Sequence, residues 1–277
     1  MSATYPGLRL RPLDLGEILD ETFRMYRRRF LFFAGVGLAM LLPAAVPLVA
    51  LFASLPGFSS VFSPVPRPAP TTFSDFNLAA LLIAYAGFIL YTVLSTPLLY
   101  GGLTFVACQQ ALGQPLSWGT ILFATLRMYP GVLLYTLALT GMALLFCVFP
   151  LWIWIGVRWA VVMPAMVVER RGVLDAMGRS WRLLEGRWWR TFGILLLIFL
   201  LYYLVTQALT AFVQVFQVLG LLINPGLVLA VVTAGSELVS ALTIPILPIA
   251  ATLIYFDLRV RQEAIDLLQL ADQAARS

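Results

Sequence analysis

Residues 191–216 read TFGILLLIFLLYYLVTQALTAFVQVF, without one charged side chain. A helix rises about 1.5 Å per residue and the hydrocarbon core of a bilayer is about 30 Å thick, so about 20 such residues suffice to cross it. This charge-free run extends to 236, and charges are also absent from 30–66, 76–126 and 128–157. The 277-residue chain is 61% hydrophobic and 11% charged. A soluble domain carries about 25% charged residues to wet its surface. Mean hydropathy is +0.93. The expected fold class is therefore all-α: a polytopic transmembrane helical bundle of about six spans, with interfacial amphipathic helices on its cytoplasmic side.

Punctuation between the runs sets the expected spans at 30–54, 78–100, 131–149, 151–168, 191–216 and 227–256. The segment SPVPRPAP at 63–70 lacks the N–H groups a helix needs and reads as a loop. Residues 116–129 are too short to cross, contain Trp118 and Arg127, and read as a partly embedded interfacial helix. Pro150 divides the third span from the fourth, and Pro245 with Pro248 predict a kink or tilt in the long sixth. The organisation expected is a cytoplasmic interfacial helix over 1–29, a six-span membrane domain over 30–256 with interfacial helices at 116–129 and 169–190, and a cytoplasmic C-terminal helix over 257–277. The charged start, 1–29, does not have the form of a cleavable signal.

All 18 basic residues are arginine. With the N-terminus in the cytoplasm, every arginine but Arg67 and Arg158 falls on the cytoplasmic side, so both termini are expected there, in a plasma membrane. Tyr26, Tyr100, Tyr129, Trp188, Trp189 and Tyr255 then mark inner interfaces, and Trp152 with Trp154 an outer turn.

Three charged segments meet on the cytoplasmic face. In the first, Asp14 followed by Glu17 is a capping-box pattern, Asp20 and Arg24 stand at i,i+4, and Arg27, Arg28 and Arg29 lead into the first span. The second carries Arg170, Arg171, Arg179, Arg182, Arg187 and Arg190. Its apolar stripe, Leu174, Met177, Trp181, Leu184 and Trp188, is that of an in-plane interfacial helix, with Trp189 alongside. The third holds Asp257, Arg259, Arg261 and Glu263. Such a face is expected to anchor topology and attract anionic head groups, at about 1 kcal/mol per basic residue near the surface.

Arg158 and Glu237 interrupt the apolar interior. Each charge near a span's centre costs about 2.5–3.5 kcal/mol on an insertion scale, so a partner is expected. Counted from the outer ends of their spans, they lie about 10 and 15 Å deep, which long side chains can bridge. An intramembrane Arg158–Glu237 ion pair between spans four and six is the expectation, against the alternative that each snorkels outward alone.

The chain contains no His, which removes the commonest general base and metal ligand. Its two cysteines, Cys108 and Cys147, lie in apolar stretches as packing residues. No glycine-rich phosphate loop accompanies the arginines, and no soluble module presents them to nucleic acid. No catalytic residue, metal site or cofactor is expected.

Three stretches combine into a recognisable pattern: LRLRPLDLGEILDETFRMYRR at 8–28, then VERRG at 168–172 with RSWRL at 179–183 running on to Trp189, then YFDLRVRQE at 255–263. They resemble the bacterial integral-membrane domain family named after the membrane part of glycerophosphoryl diester phosphodiesterases. A glycine is usual in that family where Ala264 stands. In two-part members the hydrolase is a separate soluble barrel that uses histidines and acidic metal ligands. The resemblance implies here a stand-alone six-span module without that barrel, its motif residues on the cytoplasmic face.

The function expected is thus a non-enzymatic integral membrane module presenting an arginine-rich cytoplasmic face to membrane lipids or a membrane-associated protein. The alternative is a small-solute or lipid transporter using an Arg158/Glu237 site. Small residues such as Gly35 and Ala39 permit close helix contacts within or between chains, so the oligomeric state stays open.

Overall fold

A computed structural model describes residues 12–41, 78–144, 149–220 and 225–276. The expected continuation of the first span to residue 54, the proline-rich loop and Arg67 lie outside the described residues, as does the side chain of Glu263. Ten helices and no strand occur among the described residues: α1 (Leu15–Arg28), α2 (Phe30–Leu41), α3 (Leu78–Ala111), α4 (Trp118–Leu144), α5 (Phe149–Arg158), α6 (Val162–Glu169), α7 (Val173–Leu183), α8 (Trp188–Gly220), α9 (Pro225–Thr243) and α10 (Ile246–Arg276). Five stretches are long and apolar enough to cross a membrane: Tyr85–Ala111, Trp118–Gly141, Leu151–Glu169, Trp188–Val215 and Ala234–Gln262. The shorter apolar helix Phe30–Ala39 joins them, giving a multi-pass membrane bundle of about six spans.

Helix α1 begins with the capping box: Glu17 accepts the Asp14 backbone N–H at 3.1 Å while the Asp14 side chain caps the first turn. Its amphipathic spacing turns Ile18, Thr22 and Met25 into the protein and leaves Asp20, Arg24 and Arg27 exposed. Arg24 pairs with Glu21 at 3.1 Å rather than with Asp20; the extra methylene of glutamate carries its carboxylate to the guanidinium. Helix C-termini leave four carbonyls without intrahelical partners, and long-range side chains take up two of them. Gln110 of α3 donates to the Met25 carbonyl at 2.9 Å, and Tyr26 donates to Leu242 at the end of α9 at 2.7 Å. Burial pushes the Tyr26 phenol up to about 12, so it stays a donor.

Helices α3 and α4 form an antiparallel hairpin turned at Gly113, whose φ of 69° suits glycine. Helix α4 runs unbroken from Trp118 to Leu144 through Pro130. The segment expected as an interfacial helix at 116–129 is therefore the first half of the same helix as the span expected from 131. Proline removes one N–H and crowds one carbonyl, but Ile121, Thr125, Val132 and Tyr135 are buried on both sides of it and hold the helix together. The expected fourth span, 151–168, falls within the apolar stretch Leu151–Glu169 and is broken into α5 and α6 around residues 159–161, where Tyr135 donates to the Trp159 carbonyl at 2.9 Å.

Helices α9 and α10 separate at Ile244–Pro245, where proline has no N–H to continue the ladder. Close to this break α2 meets α9 nearly backbone to backbone: a Cβ on Gly37 would lie 2.6 Å from the Ala241 carbonyl oxygen. The core follows α10 downward, with Thr252, Leu253, Ile254, Tyr255, Phe256, Asp257 and Leu258 all buried.

Candidate functional site: a charged end closed by two carboxylates

Asp257 is a charged residue buried at 1% exposure, on α10 one residue after the apolar run. Its Oδ1 accepts the Leu13 backbone N–H at 2.8 Å and Arg261 Nε at 2.9 Å, while Oδ2 takes Arg190 Nη1. The same two arginines return to the same peptide unit's neighbour: Arg190 Nη2 and Arg261 Nη2 donate to the Leu13 carbonyl at 2.8 and 2.9 Å. Arg187 donates to the Arg261 carbonyl at 3.1 Å. Both polar backbone atoms of Leu13 are thus held by a carboxylate and two guanidinia drawn from α8 and α10. Charge-assisted bonds of this kind are the stronger ones.

Glu169, at the end of α6, makes the second centre. Its Oε1 accepts Tyr255 Oη at 2.9 Å and Arg179 Nε at 2.8 Å, and Oε2 forms an ion pair with Arg171 at 2.6 Å. Because Tyr255 stands two residues before Asp257 on α10, the two centres share one helix. The chain leaves α6 through Arg170, whose φ of 52° puts a non-glycine residue in the left-handed region. That turn carries α7 back along α6.

Arg158 does not meet Glu237. Its guanidinium lies over the rings of Trp181 and Trp154, at 4.7 and 5.3 Å from the centroids, and donates to the Trp181 carbonyl at 3.4 Å. Ser180 donates to the Arg158 carbonyl at 2.7 Å. Among the described residues no ion pair joins Arg158 to an acid, so the expected intramembrane pair is corrected. The physical reason is the break at residues 159–161: it places the end of α5 against α7 at the charged end, where two indole faces receive the cation. Glu237 stays on α9. Trp154, expected at the opposite turn, belongs to this end too, since its carbonyl accepts Trp188 Nε1 at 3.2 Å and its ring meets Trp181 edge-on at 5.1 Å.

The arginines expected as one face divide into two sets. Arg179, Arg187, Arg190 and Arg261 are half-buried within the two centres, and Arg171 pairs with Glu169 from an exposed position. Arg27, Arg28, Arg170 and Arg182 are exposed, and Arg29 and Arg259 are half-buried. On α7 the buried side is Val173, Ala176, Ser180 and Leu183. The apolar stripe expected from spacing faces the other way in part: Leu174 is 74% and Trp181 37% exposed, and Trp189 beyond α7 is 78% exposed. Leu13, Tyr255, Gln110 and Trp154 were not marked as site residues by spacing; the one sequence signal for Tyr255 is its place beside Asp257 at the foot of an apolar run.

A cavity of about 370 Å³ lies among α3, α4, α6 and α10, and neither Arg158 nor Glu237 lines it. Chemically, the bonding capacity of both carboxylates is taken up by guanidinia, a backbone N–H and a phenol, which suits a structural role. Among the described residues, no three His, Cys, Asp or Glu side chains group to hold a metal ion.

These features define a polytopic helical membrane module, closed at one end by interlocked carboxylates and arginines. The family model described as the membrane domain of glycerophosphoryl diester phosphodiesterase matches residues 133–269, and through this stretch the chain is similar to that family. The matched stretch contains Glu169, Arg190, Asp257 and Arg261, while Leu13 lies before it. No curated protein and no solved structure matches the chain.

Proposed function

We propose that the chain is a non-enzymatic module of a bacterial plasma membrane, both termini cytoplasmic, whose charged end engages anionic lipid head groups or a membrane-acting partner protein. The observation that carries this reading is the outer side of α7. There Leu174, 74% exposed, is turned away from the bundle on the same short helix as exposed Arg182, with exposed Arg170 at its approach. An apolar side chain left outside beside cations suits the boundary between acyl chains and head groups. The arginine asymmetry supports the cytoplasmic placement of this end.

The test is native mass spectrometry of the protein released from nanodiscs containing phosphatidylglycerol and phosphatidylcholine. Retention of the anionic lipid is expected to fall with added salt and with Arg170→Gln plus Arg182→Gln. Unchanged retention in both arms would overturn the lipid version, and recovery of a stoichiometric protein lost in the same variant would favour the partner version. The transport alternative relied on an Arg158–Glu237 site; with the two residues apart, no observation favours it.

A further inference from the structure

The cavity between α3, α4, α6 and α10 has a lining whose chemistry is selective. Its polar side chains all carry hydroxyls: Thr96, Tyr100, Thr104, Tyr135, Thr136 and Thr140, set among Leu, Met, Ala and Pro side chains. Four of these have committed their hydrogen. Thr96 donates to the Thr92 carbonyl at 2.6 Å, Thr136 to Leu133 at 2.9 Å, Thr140 to Thr136 at 2.9 Å, and Tyr135 to Trp159 at 2.9 Å. A hydroxyl that donates keeps its acceptor lone pairs, so these four offer acceptors only. Thr104 faces the Met163 sulfur at 3.7 Å, and Tyr100 has no hydrogen-bond partner among the described residues.

A group entering this cavity must donate to threonine oxygens and can accept from Tyr100. An anion meets acceptors and no cation, and a cation meets no carboxylate, so either would be desolvated without compensation. A neutral hydroxyl does both jobs at once. The volume of about 370 Å³ lies within the range of small-molecule sites, about 300–1,000 Å³. Of the lining residues Thr140 is exposed, and Leu137, one turn before it on α4, is exposed too, so the cavity reaches the surface of the bundle beside an apolar side chain.

We infer that this cavity binds a neutral lipid through a free hydroxyl, the chemistry of a long-chain alcohol or a mono- or diacylglycerol. It is a site apart from the charged end and does not rest on the reading proposed for that end.

The probe is a diazirine-bearing long-chain alcohol, photo-crosslinked to the purified full chain in nanodiscs and mapped by peptide mass spectrometry. Oleyl alcohol and its methyl ether compete; they share a chain, and only the alcohol donates. Labelling is expected on α4 and α10 around Thr136, Thr140 and Ala251, with the alcohol competing about five-fold better than the ether, the worth of one net hydrogen bond. The near-isosteric double change Thr136→Val with Thr140→Val should bring the two competitors to parity while thermal stability is kept. Ala251→Phe, which fills the space, should abolish labelling. Equal competition by alcohol and ether in the wild-type chain, or labelling confined to other helices, would overturn the assignment. The threonine variant decides the matter if the phenylalanine variant fails to fold.

Discussion

Asp257 accepts the backbone N–H of Leu13 across 244 positions of sequence, at 2.8 Å. This bond ties the approach to the first helix onto the helix that carries the most buried segment of the bundle. The carboxylate is wholly buried and its two arginine partners are about a third exposed or less. Replacing the carboxylate by a methyl group leaves two guanidinia and a backbone donor without the acceptor they share. Asp257→Ala should cost about 3 kcal/mol, the lower end for breaking a buried pair since the arginines retain some water. Thermal unfolding in a single detergent, read against wild type, checks this, and a loss under 1 kcal/mol would show the clasp to be dispensable.

Arg190→Lys is expected to behave as a loss, not a conservative change. One guanidinium bonds Asp257 and the Leu13 carbonyl at the same time. A lysine ammonium is a point donor on a flexible stem and lacks that fork. Amide hydrogen exchange at residues 13–18 should rise in the variant while exchange in α8 beyond Ile194 stays slow. Unchanged exchange at 13–18 would deny the fork its role.

Tyr255 and Glu169 should couple energetically. Tyr255→Phe removes a hydrogen bond to a charged acceptor, worth about 1.5–3 kcal/mol. Glu169→Gln removes the acceptor's charge for Arg171 and Arg179 as well. The double variant should fall short of the sum by at least 0.5 kcal/mol, as contacting residues do. Additive losses would mean that the two residues are neighbours only.

The opposite result is expected for Arg158 and Glu237. Since Arg158 rests on Trp154 and Trp181, Arg158→Gln and Glu237→Gln should add within about 0.5 kcal/mol. Trp181→Leu, by contrast, should lower stability by about 1 kcal/mol beyond its lost area through the missing cation–π contact. A non-additive Arg158/Glu237 cycle would reinstate the pair.

Gly37→Ala should be far more damaging than Gly87→Ala. The added methyl at position 37 runs into the Ala241 carbonyl at 2.6 Å, which is backbone and cannot step aside, whereas nothing lies within 4 Å at Gly87. Overpacking of this kind costs about 1–3 kcal/mol. Comparing the two melting temperatures checks it.

Much of this molecule is written locally. Charge-free runs long enough for a bilayer mark the helices that cross, and the Asp14/Glu17 spacing marks the start of α1, because both depend only on neighbours along the chain. The expected separation of 116–129 from 131–149 does not hold: the local cost of Pro130 is overridden where Ile121, Thr125, Val132 and Tyr135 pack. The partners of buried charges could not be read locally. Asp257, Arg190 and Arg261 stand out singly as charges beside apolar runs, but nothing in their spacing points to Leu13. Arg158 and Glu237 are opposite in sign and close in counted depth, yet depth along a span assumes a straight helix. The break at residues 159–161 removes that assumption.

The Leu13 clasp also sets an order of events during synthesis. Leu13 leaves the ribosome long before Asp257 does, since 244 positions separate them. Until α10 arrives, the peptide groups around Leu13 can have water as their partner and the arginines of α8 have no buried acid to meet. The charged end is therefore the last part of the bundle to close. Earlier helices can insert and shift past one another with that end still wet, and the arrival of one aspartate locks the assembly.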